Sequence, residues 1–103
     1  MSRKAFLKLV LPKSLEEQVV DHLLRHPEWV GSFTTYLVDG HGSPQRIASS
    51  VEQVRGRAER VQMEIVAADE AAARELVEHL KADMPNADVD WLIVPVSAYG
   101  DFR

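Results

Sequence analysis

The sequence predicts an α+β domain in which four antiparallel strands form one sheet and two helices cover one face of it. Three observations support this prediction. Apolar residues alternate with a period of two in four segments, and they recur at spacings of three and four in two others. The six segments follow one another as strand, helix, strand, strand, helix, strand. With right-handed crossovers, this βαββαβ order folds into a split, ferredoxin-like arrangement.

The first half of the chain begins with alternating apolar residues over 5–11, and Pro12 ends this predicted strand. Ser14 and Glu17 have the spacing of a capping box, which predicts the start of a helix. The apolar stripe of that helix consists of Leu15, Val19, Val20, Leu23 and Leu24. Residues 29–38 are rich in β-branched and aromatic side chains and predict the second strand.

The second half repeats this order. Alternating apolar residues over 61–67 predict the third strand, and Asp69 is the expected N-cap of the second helix. The buried side of that helix is predicted to hold Ala72, Ala73, Leu76, Val77, Leu80 and Met84. The last strand is expected over 89–96, with Pro95 near its end.

Both faces of the predicted sheet carry apolar side chains. Phe6, Val10, Leu92 and Val94 fall on the strand faces opposite those that the helices would cover. Because a large exposed apolar surface is uncommon in a monomer, we expect another subunit to cover this face.

Composition narrows the class of protein. The chain has 103 residues, a net charge of −4 and no Cys. The length predicts one domain spanning 1–103, and the missing Cys excludes disulfides, thiolate zinc sites and a Cys nucleophile. The acidic balance argues against a nucleic-acid partner, and no apolar run is long enough to insert into a membrane. We therefore expect a cytoplasmic protein.

The connection between the second and third strands, at about 40–57, is much longer than an ordinary hairpin loop. It carries Arg46, Arg55 and Arg57 against Glu52, which gives a local charge of +2. A basic loop on an acidic body suggests an anionic ligand or an acidic partner surface, and its composition predicts a mobile segment. A solvated surface loop without a ligand is the alternative.

Three of the four histidines stand where a metal ligand could be placed. His41 could contact a ligand, respond to pH or bind a metal, whereas His22 and His26 stand four residues apart on the first helix and could chelate a metal. The apolar stripe beside that pair favours a structural position at the boundary of the core, and no metal site is predicted. No nucleophile motif, acid–base pair or phosphate loop is present, so the prediction is that the protein has no catalytic residues and is not an enzyme.

Several runs of sequence resemble the PII signalling proteins. The run from Val61 to Asp69 is similar to the third PII strand and its entry into the second helix, and Val38-Asp39-Gly40-His41-Gly42 is similar to the Gly-x-Gly end of the second PII strand. Arg55-Gly56-Arg57 resembles the far end of the PII T-loop. Together with the Gly-Ser-Phe-Thr-Thr run at 31–35, these features resemble an uncharacterised PII-like family often encoded beside heavy-metal efflux pumps.

The resemblance implies a homotrimer with ligand clefts between its subunits and a T-loop that docks onto a target. It also implies that Thr34, Gly40, Glu64 and Val66 line the pocket for a nucleotide base. Residues 82–88 contain Asp83 and Asp88 and lack the lysine of the PII phosphate loop, which disfavours a triphosphate.

The leading hypothesis is a PII-like regulator that binds a small effector, such as an adenine nucleotide or another small anion, and signals through the long loop to a membrane transporter or efflux pump. The predicted ligand-binding residues are Thr34, Gly40, His41, Gly42, Arg55, Gly56, Arg57 and Glu64. The alternatives are a divalent-metal-binding or metal-tolerance trimer that uses His41 with carboxylates, an adenine-nucleotide sensor, and an assembly module without a ligand.

Overall fold

Four strands and two helices build the protein in the computed structural model, which describes residues 3–41 and 58–103. In chain order they are β1 (Ala5–Pro12), α1 (Glu16–Arg25), β2 (Val30–Gly40), β3 (Ala58–Ala67), α2 (Glu70–Asp83) and β4 (Asp90–Pro95). The strands lie in the order β2-β3-β1-β4, and every neighbouring pair is antiparallel. The predicted ferredoxin-like fold is confirmed.

The core lies between the sheet and the two helices. Alternate residues of β1 and β3 are fully buried, among them Leu7, Leu9, Met63 and Ile65. They belong to the same buried cluster as Val19 and Leu23 of α1 and Leu76 and Leu80 of α2. Each such side chain contributes about 1.5–3 kcal/mol when it is removed from water, so this layer provides most of the driving force for folding.

The two helices begin differently. The Asp69 side chain accepts a hydrogen bond from the Ala72 amide at 2.7 Å, which confirms the predicted cap of α2. The predicted capping box of α1 is wrong. Lys13–Leu15 form a 3₁₀ turn, Leu15 is the N-cap without a side-chain bond, and the Glu16 amide bonds to the Lys13 carbonyl. The turn leads directly into the helix, so backbone carbonyls take the place of a side-chain cap.

The predicted apolar stripe of α1 needs one correction. Leu24 is 66% exposed, whereas its neighbours His22 and Leu23 are buried. The helix therefore directs His22, and not Leu24, toward α2.

A β-bulge at Gly31 determines which way β2 faces. Val30 pairs with Ala67 while Ser32 pairs with Val66, so Gly31 is an extra residue between two successive partners. A Cβ atom on Gly31 would lie 3.1 Å from the Val66 carbonyl oxygen. Because one extra residue reverses the alternation of faces, Thr34 and Tyr36 lie on the side of the sheet without helices.

The hairpin formed by β2 and β3 is longer than the sequence predicts. Pairing continues through Asp39–Glu59 to Gly40–Ala58, whereas β1 ends where Pro12 pairs with Arg60. Gly40 is thus a strand residue, so the loop predicted at 40–57 begins after it. Residues 42–57 lie outside the described part of the chain. No helix in the described ranges is long and apolar enough to cross a membrane.

Candidate functional site

The side of the sheet without helices, here called the open face, carries a polar half and an apolar half. In its middle row, Thr34 of β2 pairs with Glu64 of β3, and Glu64 pairs with Lys8 of β1. Lys8 in turn pairs with Leu92 of β4, which begins the apolar half. Partners in antiparallel strands have Cβ atoms about 4.5–5.5 Å apart, so Thr34, Glu64 and Lys8 occupy neighbouring positions in one row.

A hydrogen-bonded network extends this row on β2 and β3. The Tyr36 hydroxyl donates to Glu64 Oε2 at 2.5 Å and accepts from Gln62 Nε2 at 2.7 Å. Gln62 Nε2 also lies 3.3 Å from Glu64 Oε2. Two donors therefore converge on one carboxylate oxygen, which holds the Glu64 side chain in a defined position.

The ionisation of Tyr36 reports on this network. The hydrogen bond that its hydroxyl donates to Glu64 raises the tyrosine pKa above its usual value of 10.0, and partial desolvation and the negative charge of Glu64 act in the same direction. Tyr36 is therefore a hydrogen-bond donor at neutral pH.

Lys8 provides the cation of the open face. It is half-buried, and it forms no hydrogen bond or ion pair with the residues that the structure describes. A strand ammonium next to Glu64 but without an ion partner can bind an anionic group beside it.

The apolar half lies on β1 and β4 and consists of Phe6, Val10, Leu92 and Val94, as the alternation predicts. Leu92 is 52% exposed and Val94 40% exposed, although both lie on a sheet face. Apolar side chains this exposed on one continuous surface are typical of an interaction site.

The structure brings together only some of the predicted ligand-binding residues. Thr34 and Glu64 are paired, and Val66 lies on the same face one row away. Gly40 is six residues farther along β2, a separation of about 20 Å at the usual rise per residue, and His41 follows it. Gly42, Arg55, Gly56 and Arg57 lie outside the described residues, so their predicted role remains a prediction.

The acidic stretch at 82–88, which lacks the lysine of the PII phosphate loop, has a cation from strand β3 beside it. Asp83 accepts hydrogen bonds of 2.8 Å from Gln18 and His22 of α1, and Asp88 Oδ2 lies 2.7 Å from the buried Arg60 guanidinium. A cation from β3 therefore accompanies this stretch, which the sequence alone had presented as purely acidic. The hydrogen bonds from Gln18 and His22 lower the pKa of Asp83 below 3.8.

Three of the four histidines, His22, His26 and His79, form a packed cluster and not a chelating set. The His26 ring stacks on Trp29 with centroids 4.4 Å apart, and His79 of α2 packs edge-on against Trp29 at 4.7 Å. His22, only 9% exposed, is bonded to Asp83. Within residues 3–41 and 58–103, no group of three His, Asp or Glu side chains is arranged to hold a metal ion.

Sequence reasoning missed Tyr36, Gln62 and Lys8 as members of the site. The sequence did contain a signal for Tyr36 and Gln62. Residues two apart on a strand share a face, and Tyr36 lies two residues after Thr34 whereas Gln62 lies two residues before Glu64. Joining the four with Lys8 requires the strand register, which depends on the bulge at Gly31.

Comparison with protein families gives one match. The family model DUF3240, described as a protein of unknown function, matches residues 1–103. A search of curated proteins found no match.

Solved structures share the fold at low sequence identity. A DUF3240 family protein from Shewanella baltica superposes with a TM-score of 0.78 at 18% identity, over 100% of both chains. A candidate PII-like signalling protein from Thermus thermophilus gives 0.64 at 18% identity, over 92% of this chain and 87% of that chain. CPII, a nitrogen regulatory PII-like protein from Thiomonas intermedia bound to ADP, AMP and bicarbonate, gives 0.64 at 19% identity, over 90% and 89%.

Proposed function

The chain belongs to the DUF3240 family, and from this premise and the polar half of the open face we propose that it is a PII-like regulatory protein that binds a small anionic effector. The effector class is an adenine nucleotide with one or two phosphates, or another small anion. The protein acts by binding and not by catalysis.

One observation carries the proposal: Thr34, Glu64 and Lys8 stand in one row on a face that the helices leave open. Glu64, positioned by Tyr36, accepts hydrogen bonds from amino or hydroxyl groups, and Thr34 can donate or accept. Lys8 supplies the positive charge for a phosphate or carboxylate. CPII, which has the same fold, was solved with ADP, AMP and bicarbonate, and these ligands fit that chemistry.

The apolar half supports assembly of three copies in this proposal. Burying Leu92, Val94 and Phe6 against another copy would remove their apolar surface from water, and each residue of this size contributes about 1.5–3 kcal/mol on full burial. The polar half would then lie in a cleft between copies. The site would be completed by residues from the neighbouring subunit.

The 40–57 segment is the part of this regulator that we propose contacts its partner protein. It begins at Gly40, which pairs with Ala58 at the far end of the two strands that carry Thr34 and Glu64. Its three arginines would contribute to effector binding or to contacts with an acidic surface of the partner. By the resemblance to PII-like proteins, the proposed partner is a membrane transporter or efflux pump.

Calorimetric titration of the purified protein with AMP, ADP and bicarbonate tests the effector site. We expect Thr34→Val and Glu64→Gln each to weaken binding of AMP and ADP about tenfold or more, because the first removes a hydroxyl and the second replaces a charged acceptor for amino or hydroxyl groups with a weaker neutral one. Thr35→Val is the matched control: Thr35 is the next residue on β2, pairs with Met63 and faces the opposite side. It should bind as the parent does.

Two results would overturn the proposal. One is binding of none of these three compounds, nor of inorganic phosphate, by a folded protein. The other is binding that Thr34→Val and Thr35→Val reduce equally, since the effect would then follow from a general loss of β2 stability.

A further inference from the structure

A cavity lies on the helix side of the sheet, between α2, the chain that follows it and the edge strand β4. Its volume is about 270 Å³. Its walls are formed by Leu9, Val19, Val77, Leu80, Val89 and Trp91. Four of these, Leu9, Val19, Val77 and Leu80, are buried core residues, so the cavity extends to the hydrophobic core.

Trp91 is the exposed wall of this cavity. It pairs with Leu9 across β1 and β4 on the helix side of the sheet, yet 45% of it is exposed. This indole is only partly covered by the protein, and it therefore offers a flat apolar surface to a small molecule. Small-molecule sites typically start at about 300 Å³, so this cavity suits a compact ligand.

The polar side chains that line the cavity are both hydrogen-bond donors. Lys81 of α2 and Asn86 line the cavity, and their side chains end in an ammonium group and an amide. Asn86 has a φ of 63°, in the left-handed region, where the chain turns away from α2 toward β4. Because Asn is one of the few residues that tolerates this conformation, the turn places Asn86 beside the cavity without added strain.

Lys81 also has a competing partner. Its Nζ lies 3.6 Å from Glu78 Oε1 one turn earlier on α2, and both side chains are largely exposed. Exposed ion pairs of this kind contribute about 0.2–1 kcal/mol, so a ligand carboxylate can replace Glu78 at small cost.

We propose that this cavity binds a small carboxylic acid with an apolar body, whose chain or ring packs against Trp91 and the core wall while its carboxylate meets Lys81 and Asn86. The inference is independent of the proposed effector site, because the two sites lie on opposite faces of the sheet.

Octanoate is the probe for this site, and the indole N–H signals of the two tryptophans are the readout. Trp91 lines the cavity, whereas Trp29 packs among His26 and His79 and serves as an internal reference. In ¹H–¹⁵N spectra of the full chain, octanoate should shift the Trp91 signal saturably and leave the Trp29 signal in place. Trp91→Phe identifies the signal.

Three variants test the donors at the cavity. Lys81→Met and Asn86→Gly should each weaken octanoate binding about tenfold or more, the latter without straining a position with positive φ. Glu78→Gln should tighten binding up to about fivefold, because it releases Lys81. Lys13→Met is the matched control, since Lys13 forms an equivalent i,i+3 pair with Glu16 away from the cavity, and it should change nothing.

The proposal fails if octanoate gives no saturable shift, or if octanol binds as tightly as octanoate to the parent protein. It also fails if the Trp91 signal shifts with protein concentration alone, which would indicate that a second copy fills the cavity. Equal effects of Lys81→Met and Lys13→Met would show that surface charge alone attracts the acid.

Discussion

Asp83, the last residue of α2, accepts a 2.8 Å hydrogen bond from the buried His22 of α1, and this bond joins the two helices. The same carboxylate oxygen accepts a second 2.8 Å bond from Gln18, one helical turn earlier. Two donors from one helix thus hold the end of the other, directly before the chain turns toward β4.

Acid should weaken this connection between the helices. The pKa of Asp83 is lowered below 3.8 first by the Gln18 hydrogen bond and then by the His22 hydrogen bond, so the folded state favours the ionised form. The stabilisation is present above the unfolded pKa of 3.8 and is lost as pH falls through the lower, folded value. Chemical unfolding of the parent and of Asp83→Asn should differ most near neutrality, and the difference should shrink below pH 3.8.

A double-mutant cycle with Gln18→Leu provides the control. If the two residues act through their hydrogen bond, the Gln18 substitution should cost less in the Asp83→Asn background than in the parent. A difference between parent and Asp83→Asn that is constant from neutral pH to pH 2 would contradict the assignment.

Alkaline titration should detect the bond between Tyr36 and Glu64. In a Tyr99→Phe background Tyr36 is the remaining tyrosine, and its phenolate absorbance should appear above the usual pKa of 10.0. Glu64→Gln should move this titration down toward 10.0, because it removes the carboxylate that holds the hydroxyl proton. The stabilisation is present below 10.0 and is lost as pH rises through the raised, folded value. An unchanged titration in Glu64→Gln would exclude the bond as the cause.

Gly31→Ala should destabilise the fold by about 1 kcal/mol, because the added methyl group would meet the Val66 carbonyl oxygen at 3.1 Å. Gly100→Ala is the matched control, since a Cβ there meets nothing within 4 Å, and its effect should stay within about 0.5 kcal/mol. Urea unfolding of both variants measures the difference. If Gly31→Ala proves as stable as Gly100→Ala, the bulge tolerates a side chain at position 31.

Val94→Asp should split the proposed trimer, because burying an unpaired carboxylate between copies is strongly unfavourable. Light scattering should give three times 11.6 kDa for the parent and a smaller mass for the variant. Leu24→Asp is the control, because Leu24 is an exposed leucine on α1, far from the open face, and this variant should keep the parent mass. A parent protein with the mass of one chain would remove the case for a site between copies.

The fold could be predicted because each element carries a clear apolar period, and because the order of the elements leaves one simple topology. The start of α1 could not be predicted from the sequence. Ser14 and Glu17 have the spacing of a capping box, and this pattern gives no sign of the 3₁₀ turn that stands there instead. Leu24 was assigned wrongly for a related reason: Leu24 and His22 lie on opposite sides of the buried Val19 and Leu23, and the apolar pattern alone favours the leucine.

The site was predictable only in part. Thr34 and Glu64 were proposed as ligand-binding residues through the resemblance to PII proteins, and the structure pairs them directly on one face. Lys8 and Arg60 depend on the registers of separate strand pairs, which no local pattern encodes. The contact of His79 with Trp29 likewise depends on how α1 and α2 pack together.

The pairing of β2 with β3 is continuous from Ser32–Val66 to Gly40–Ala58. It limits the ways in which a structural change at one end of this hairpin can move the other end. A sliding motion of one strand would have to advance by whole residues, and a slip of one would turn Thr34 and Glu64 onto opposite sides. With this register kept, the hairpin moves by bending or twisting, and its far end extends beyond the Pro12–Arg60 pair where β1 ends. A ligand that rotates Glu64 by a small angle would consequently swing Gly40 and Ala58 through a larger arc.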